Sequence, residues 1–203
     1  MKKQVLFVIL EKFADYEYPL LANALNGEIQ DNKTSPYEVK TLSVSTDPIK
    51  SIGGFTIIPD YGIDNYPADY AAIVLIGGNS WRNEEAKKIT PLLKQAFSAG
   101  KIVAAICDAT VFLAMNEFLN DKKHTSNSLN SLTDGAREQY TGSANYVNEQ
   151  AVRDGNLITA NGTAYPEFAK EVLSALEAYS ADDIENYYNY FKLGLVEMMK
   201  MFA

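Results

Sequence analysis

Cysteine and histidine are almost absent from this 203-residue sequence, which contains one of each, Cys107 and His124. A single cysteine cannot form an internal disulfide, and one cysteine with one histidine cannot complete a structural zinc site. We therefore expect neither a metal nor another cofactor. A lone free cysteine also favours a reducing compartment, the cytoplasm.

Long apolar runs are missing as well. No apolar stretch approaches the roughly 18 residues that a membrane-spanning helix needs. The first stretch, residues 5–10, is stopped by Glu11 and Lys12 and is too short for the core of a typical signal peptide. We therefore expect neither membrane insertion nor export.

Basic residues are outnumbered, since 18 lysines and arginines face 26 aspartates and glutamates, for a net charge of −8. Nucleic acids and anionic membranes are bound by clustered Lys and Arg, so neither is expected as a partner. The length suits one domain over residues 1–180, followed by a C-terminal extension over residues 181–203.

Three short runs over residues 5–10, 70–76 and 102–106 are apolar throughout, as expected of strands covered on both faces in a parallel sheet. Helices are predicted between and after them, so the chain should be an α/β protein with helices on both faces of the sheet. The predicted helices cover residues 16 to about 31, 84–98 (capped by Asn83), 109–119 and 165–179. Further strands are predicted over residues 37–44, 146–155 and 156–160, and a hairpin over residues 49–58.

The chain ends in an amphipathic helix predicted over residues 184–202. Its apolar stripe contains Tyr187, Tyr188, Phe191, Leu195, Met198, Met199 and Phe202. Such a stripe needs a surface to cover it. Two alternatives are open: the helix packs on its own domain, or it forms an interface with a second copy.

Cys107 lies where the third apolar run meets a predicted helix, with Ala105 and Ala109 two residues to either side. This pattern is typical of a nucleophile elbow, a turn so tight that small residues must flank the nucleophile. The N–H groups that begin the helix should point at the sulfur and favour the thiolate. The alternative is an inert, buried cysteine.

Two further features should lie near this elbow. Gly77-Gly78 ends another apolar run, so the backbone N–H groups of Gly78 and Asp108 are candidates for an oxyanion hole. Asp15 and Glu17 follow the first run, and either carboxyl could face Cys107 or simply favour the start of the next helix.

Four segments in this order resemble the ThiJ/PfpI superfamily, a branch of the class I glutamine amidotransferase-like fold. They are VLFVILEKFADYE, AAIVLIGG, KIVAAICDATVFLA and NLITANGTAYPEFAKEVLSAL, within residues 3–178. The resemblance implies a flavodoxin-like three-layer sandwich with a mostly parallel sheet, and commonly a homodimer. It places the glutamate at Glu17, the nucleophile at Cys107, and the backbone donors at Gly78 and Asp108.

The sequence departs from the superfamily directly after the cysteine, where many relatives carry a histidine and this chain has Asp108. A carboxylate cannot replace an imidazole, and pointing inward it would oppose thiolate formation. His124 lies roughly where some relatives place a pocket histidine, so it is a candidate base. The alternative is a solvated histidine in a Lys-rich loop.

Three functions remain open. The leading one is a cysteine hydrolase or amidase of a small carbonyl or amide substrate, with Cys107 as nucleophile and Glu17 or His124 handling protons. The second is a non-catalytic redox or reactive-metabolite sensor that works through oxidation of Cys107. The third is an interaction protein that uses its C-terminal helix.

Overall fold

The three apolar runs form the centre of a seven-stranded sheet in the computed structural model, which describes residues 2–29 and 33–201. They are strands β1 (Lys3–Val8), β8 (Tyr70–Leu75) and β9 (Ile102–Ile106). Strand β8 pairs in parallel with both β1 and β9. Because helices cover both faces of this central part, its strands carry apolar residues in both directions.

Four more strands extend the sheet: β4 (Tyr37–Ser43), β7 (Tyr61–Gly62), β10 (Ala151–Asp154) and β11 (Leu157–Ala160). The order across the sheet is β10-β11-β9-β8-β1-β4-β7. All neighbours in this sheet are parallel except β10 and β11, which form an antiparallel hairpin. Two small antiparallel pairs lie apart from it: β2 (Glu28–Ile29) with β3 (Lys33–Thr34), and β5 (Ile49–Lys50) with β6 (Thr56–Ile57).

Helices cover both faces of the sheet and give the three layers predicted from the sequence. One face is covered by α2 (Thr90–Ser98), α3 (Asp108–Met115) and α4 (Leu129–Ala136). The other is covered by α1 (Pro19–Asn26), α5 (Tyr165–Leu176) and α6 (Ala181–Leu193). The carboxyl ends of β1, β8 and β9 therefore meet at one edge, where ligands gather in open parallel sheets.

The helix predicted over residues 84–98 is divided. Residues Glu84–Ile89 form a 3-10 helix, and α2 begins only at Thr90. Pro91 accounts for the division, because its missing N–H is tolerated in the first turn of a helix but not in its interior. Asn83 precedes the 3-10 helix but makes no side-chain capping hydrogen bond, so the predicted cap is wrong.

Helix α4 was not predicted, because it is short and lies in a polar passage of the sequence. It is held at its start by Ser128, whose hydroxyl accepts a hydrogen bond from the Ser131 N–H at 3.0 Å. The strand predicted over residues 146–155 is shorter than expected, since only Ala151–Asp154 pairs with β11.

The C-terminal extension is helical but is not one helix. Helix α6 is ended by Gly194, which has a φ of 82°, a backbone conformation that glycine adopts readily. Helix α7 (Leu195–Met201) follows. The inner face of α6 packs on its own domain: Ile184 is buried, and the Tyr187 hydroxyl donates to the Leu20 carbonyl at 2.9 Å. Phe202, predicted to end the stripe, and residue 31, near the predicted end of the first helix, lie outside the described residues.

The outer face of the extension is exposed. Four apolar side chains there are 46–66% exposed: Phe191, Leu195, Val196 and Met199. Packing on its own domain, one of the two alternatives for the extension, therefore applies to its inner face only. In the described part of the chain, no helix has the length and apolar character to cross a membrane.

Candidate functional site

Cys107 occupies a strained position between β9 and α3. Its backbone has φ 59° and ψ −131°, a conformation that residues with a Cβ rarely adopt. Its N–H extends the sheet by donating to the Ala160 carbonyl at 3.0 Å. Ala105 and Ala109 are fully buried, and the Cys107 side chain is partly exposed. This is the elbow geometry that the sequence predicts, with a side chain that packs against the core and is still partly exposed.

Glu17, not Asp15, faces the cysteine. Its carboxyl group is 1% exposed, and Oε2 accepts a hydrogen bond from the Gly77 N–H at 2.8 Å. Oε1 is buried without a partner of good hydrogen-bond geometry in the described chain, and the polar group that it faces is the Cys107 thiol. Asp15 instead accepts hydrogen bonds from the Ser51 hydroxyl at 2.5 Å and the Gly53 N–H at 2.9 Å.

Two glycines make room for this pair. A Cβ on Gly77 would overlap Glu17 Oε2 and lie 2.6 Å from Cys107 Cβ. A Cβ on Gly162 would lie 2.9 Å from Cys107 Sγ and 3.2 Å from Glu17 Oε1. Any side chain at either position would therefore push the carboxyl and the sulfur apart.

The two groups titrate as a pair. Burial raises the pKa of Glu17 from 4.5 to about 7. Burial, followed by the negative charge of Glu17, raises the pKa of Cys107 to about 11. The expected lowering of the thiol pKa is therefore wrong, because desolvation and the neighbouring carboxylate outweigh the N–H donors at the sulfur. Near neutral pH, therefore, Glu17 and Cys107 can share a proton, because the carboxyl and the thiol face each other.

Asn127 is a member of the site that the sequence analysis did not identify. Its side-chain N–H donates to Cys107 Sγ at 3.3 Å, and its side-chain oxygen accepts from the Gly162 N–H at 2.8 Å. The backbone N–H of Asp108 also faces the sulfur. Asn127 lies just before α4, in a polar passage where no local pattern marks a functional residue.

The sulfur opens into a cavity of about 390 Å³. Gly78 and Asp108, the two predicted backbone donors, both line it. Gly78 has φ 146°, and a Cβ there would lie 2.6 Å from the Phe13 Cα atom, so only glycine fits. The remaining lining residues are Ala14, Tyr16, Ile52, Asn79, Arg82, Cys107 and Asn127.

The carboxylate of Asp108 is held by Arg82, which the sequence analysis also missed. Arg82 Nε lies 3.0 and 3.1 Å from the two carboxylate oxygens, and Nη2 lies 2.5 Å from Oδ1. These hydrogen bonds raise the pKa of Arg82 above its ordinary value. The side chain of Asp108 is therefore directed at a cation, not inward at the sulfur.

His124 is buried at another place in the fold. Its Nδ1 lies 2.6 Å from the Lys122 carbonyl and its Nε2 lies 2.7 Å from the Tyr140 hydroxyl. The solvated alternative is wrong, since the side chain has no exposed surface. Both ring nitrogens are engaged, burial lowers the pKa of His124, and the residue does not line the cavity at Cys107. The geometry gives it no access to the sulfur.

Among the described histidine, cysteine, aspartate and glutamate side chains, no group of three or more is placed to hold a metal ion. The chemistry available at the cavity is that of a thiol, a protonatable carboxyl group and several N–H donors. The fold and the site therefore define an α/β protein with a mostly parallel sheet, in which a partly exposed cysteine at a strained turn faces a buried glutamate.

Comparison with known proteins identifies the family. The sequence matches the DJ-1/PfpI family over residues 3–175, and the chain belongs to that family. It is 42% identical over 184 residues to "Uncharacterized protease YdeA" of Bacillus subtilis, covering 90% of this chain and 88% of the relative. It is 34% identical over 188 residues to "Uncharacterized protease YoaZ" of the same organism, covering 92% and 89%.

Solved structures agree with the fold. The thiJ/pfpI family protein from Bacillus anthracis superposes with a TM-score of 0.88 at 33% identity, covering 95% of this chain and 91% of that one. The family predicted from the four sequence segments is confirmed, as is the mostly parallel three-layer sheet.

Proposed function

We propose that the protein is a cysteine hydrolase or amidase that acts on a small carbonyl or amide substrate. The observation that carries the proposal is the buried carboxyl of Glu17 facing the Cys107 thiol, with a pKa of about 7. A base with a pKa near neutral pH can both accept and return a proton during turnover. The names of two relatives include the word protease, which fits the hydrolase class.

The reaction begins when Cys107 Sγ attacks the carbonyl carbon of the substrate and the thiol proton passes to the Glu17 carboxylate. The carbonyl π electrons move to oxygen, giving a tetrahedral oxyanion. When the C–O double bond re-forms, the leaving amine or alcohol departs and takes the proton from Glu17, leaving a thioester. Water then attacks the thioester carbon and gives a proton to Glu17. As the C–S bond breaks, the acid is released and Glu17 returns that proton to the sulfur, which regenerates the thiol and the carboxylate.

The oxyanion would be held by backbone donors. We assign this role to the N–H groups of Gly78 and Asp108, because both residues line the cavity into which the sulfur opens. The cavity of about 390 Å³ accommodates a small molecule, not a folded protein. Small esters, amides and activated carbonyl compounds are therefore the substrates to test first.

The experiment compares Cys107→Ala and Glu17→Gln with the unmodified protein. Hydrolysis of p-nitrophenyl acetate is the first measurement, and iodoacetamide alkylation of Cys107 is the second. We expect Cys107→Ala to abolish hydrolysis and Glu17→Gln to lower turnover by about a hundredfold or more. Alkylation of Glu17→Gln should not slow, because the substitution removes a negative charge beside the thiol.

The control is Glu84→Gln, which neutralises a glutamate whose side chain is 87% exposed. Hydrolysis that survives in Cys107→Ala would rule out the nucleophile. Parallel losses of hydrolysis and alkylation in Glu17→Gln would rule out a proton-transfer role for Glu17.

A second function is favoured by the N–H donors around the sulfur. The Asn127 side chain and the Asp108 backbone both present N–H groups to Sγ, and protonated Glu17 would present an O–H group. These donors suit an oxidised sulfur. In a redox sensor, Sγ attacks one oxygen of hydrogen peroxide, the O–O bond breaks, and water leaves with the sulfenic acid formed.

The test is peroxide titration of the unmodified protein, followed by mass spectrometry of the Cys107 peptide. Stoichiometric formation of the sulfenic acid or, with a second equivalent of peroxide, of the sulfinic acid would support the sensor if it is lost in Asn127→Ala and Glu17→Leu. Random overoxidation that is unaffected by these substitutions would count against it.

We also propose that the protein is a cytoplasmic homodimer. The exposed outer face of α6 and α7, with Phe191, Val196 and Met199, is the surface that a second copy would cover. A free, reactive thiol fits the reducing cytoplasm. An interaction role for the C-terminal extension, the third function considered, would use the same face.

A further inference from the structure

The residue that follows the nucleophile is an acid, which places a negative charge beside a sulfur that must become negative to react. The charged or titratable groups near Cys107 come from three elements. Glu17 and Tyr16 lie in the segment after β1, Asp108 begins α3, and Arg82 follows β8. Arg82 is the cation among these four groups, and it lines the cavity with the sulfur.

The ion pair between Arg82 and Asp108 is bidentate. Two guanidinium nitrogens, Nε and Nη2, donate to the carboxylate, and both carboxylate oxygens accept. This planar fork fixes the direction of the carboxylate as well as its charge. A lysine could supply the charge but not the fork.

Stability alone does not account for this pair. The Arg82 side chain is 47% exposed and that of Asp108 is 19% exposed, and ion pairs at the surface contribute little to folding. Asp108 instead has an electrostatic effect on the site, because its negative charge contributes to the raised pKa of Glu17. The negative charges of Asp134, in α4, and of Cys107 also contribute to the raised pKa of Arg82.

The guanidinium group lies against helix α4. A Cβ on Gly135 in α4 would be in ordinary contact with Arg82 Nη1, at 3.4 Å, whereas the atom that it would overlap is Val111 Cγ1. The arginine is therefore held between the start of α3 and the face of α4.

We propose that Arg82 is a positioning residue that acts on Cys107 through Asp108, by turning the carboxylate away from the sulfur and neutralising it. Arg82 makes an aspartate tolerable at a position where it would otherwise suppress the thiolate and the anionic intermediate. The proposal rests on a reactive Cys107, as does the proposed function, but it holds whether Cys107 is a nucleophile or a sensor.

The experiment is a double-mutant cycle read out by the alkylation rate of Cys107 with iodoacetamide from pH 6 to pH 10. The proteins are the unmodified chain, R82Q, D108N and R82Q/D108N, each checked for folding by circular dichroism. We expect R82Q to slow alkylation by about tenfold throughout this range, which lies below the Cys107 pKa of about 11. There the rate follows the thiolate fraction, so a tenfold loss corresponds to a rise of about one unit in the thiol pKa. D108N should react faster than the unmodified chain, because it removes the carboxylate.

The decisive protein is the double variant. If Arg82 acts through Asp108, R82Q/D108N regains most of the rate that R82Q loses. A double variant as slow as R82Q would show a direct effect of Arg82 and overturn the proposal. An R82Q alkylation profile that coincides with the profile of the unmodified chain would also overturn the proposal.

Two controls complete the design. K88Q removes another cation from the segment after β8, one that pairs with Glu85 at 3.7 Å, and should leave the profile unchanged. R82K keeps the charge without the fork and should fall between R82Q and the unmodified chain, which also provides a test if R82Q does not fold. Ester hydrolysis is measured separately: if it is absent while the cycle holds, the hydrolase proposal fails and this one stands.

Discussion

The side-chain amide of Asn127 donates a hydrogen bond to the sulfur of Cys107 at 3.3 Å. The same side chain accepts the Gly162 N–H at 2.8 Å, so it is oriented before any ligand arrives. It joins the loop before α4 to the turn after β11 at the reactive atom.

Replacing Asn127 with alanine should slow Cys107 alkylation at pH 7. The lost donor stabilises the thiolate more than the thiol, and a hydrogen bond to a charged group contributes about 1.5–3 kcal/mol, or roughly a tenfold or larger change in rate. The measurement is the rate with iodoacetamide as a function of pH. Asn130→Ala, an exposed position in α4, is the matched control, and equal rates in both variants would contradict the role assigned to Asn127.

Glu17 should make stability depend on pH. Its pKa is raised from 4.5 to about 7 on folding, so the folded protein binds this proton more tightly than the unfolded chain does. The resulting stabilisation is complete below pH 4.5 and is lost as the pH rises through 7. Relative to Glu17→Gln, the free energy of unfolding should fall by roughly 2–3 kcal/mol between pH 4.5 and pH 8.

Urea denaturation of both proteins across this pH range measures the effect. Glu84→Gln serves as the control, because its carboxylate is exposed and its removal should leave the pH profile parallel to that of the unmodified chain. A Glu17→Gln profile parallel to that of the unmodified chain would show that the carboxyl is not buried in the folded state.

His124 should matter for folding and not for thiol chemistry. His124→Ala leaves a cavity and unpairs the Lys122 carbonyl and the Tyr140 hydroxyl, which should cost about 2–4 kcal/mol of stability. Ester hydrolysis per folded molecule should stay within about twofold of the unmodified rate. Stability by urea titration and hydrolysis by steady-state kinetics distinguish the two roles. A stable variant that has lost hydrolysis would restore His124 as a catalytic residue.

The outer face of the C-terminal extension should govern the oligomeric state. Val196→Glu with Met199→Glu places charges at two side chains that are 66% and 64% exposed. We expect this variant to be monomeric by sedimentation velocity, with an unchanged melting temperature, because neither side chain packs on its own domain. A dimer that persists would place the interface elsewhere on the surface.

The sequence predicts the centre of the site well and its surroundings poorly. The apolar runs that become β1, β8 and β9, and the small residues around Cys107, are local patterns imposed by burial and by the tight turn. Asn127 reaches the sulfur, and Arg82 reaches the Asp108 carboxylate, only through the tertiary fold. Both come from polar segments in which nothing distinguishes them from solvated neighbours. His124 shows the opposite case, since its polar sequence context conceals a fully buried side chain.

The pKa of the Cys107 thiol could not be predicted from the sequence either. Helix geometry alone favours a lowered thiol pKa, and the Asp108 N–H, which begins the helix, does face the sulfur. The opposing effects, desolvation and the charge of Glu17, depend on how deeply both groups are buried, which no local pattern records.

Because Cys107 has a positive φ, the residue that supplies the thiol is not the residue that would make the fold most stable at this position. Glycine adopts this backbone conformation freely, whereas a residue with a Cβ is strained there by about 1–3 kcal/mol. Selection for a sturdier fold alone would thus tend to replace the cysteine with glycine. A lineage that lost the need for the thiol should drift to glycine at this elbow and become more thermostable as it does so.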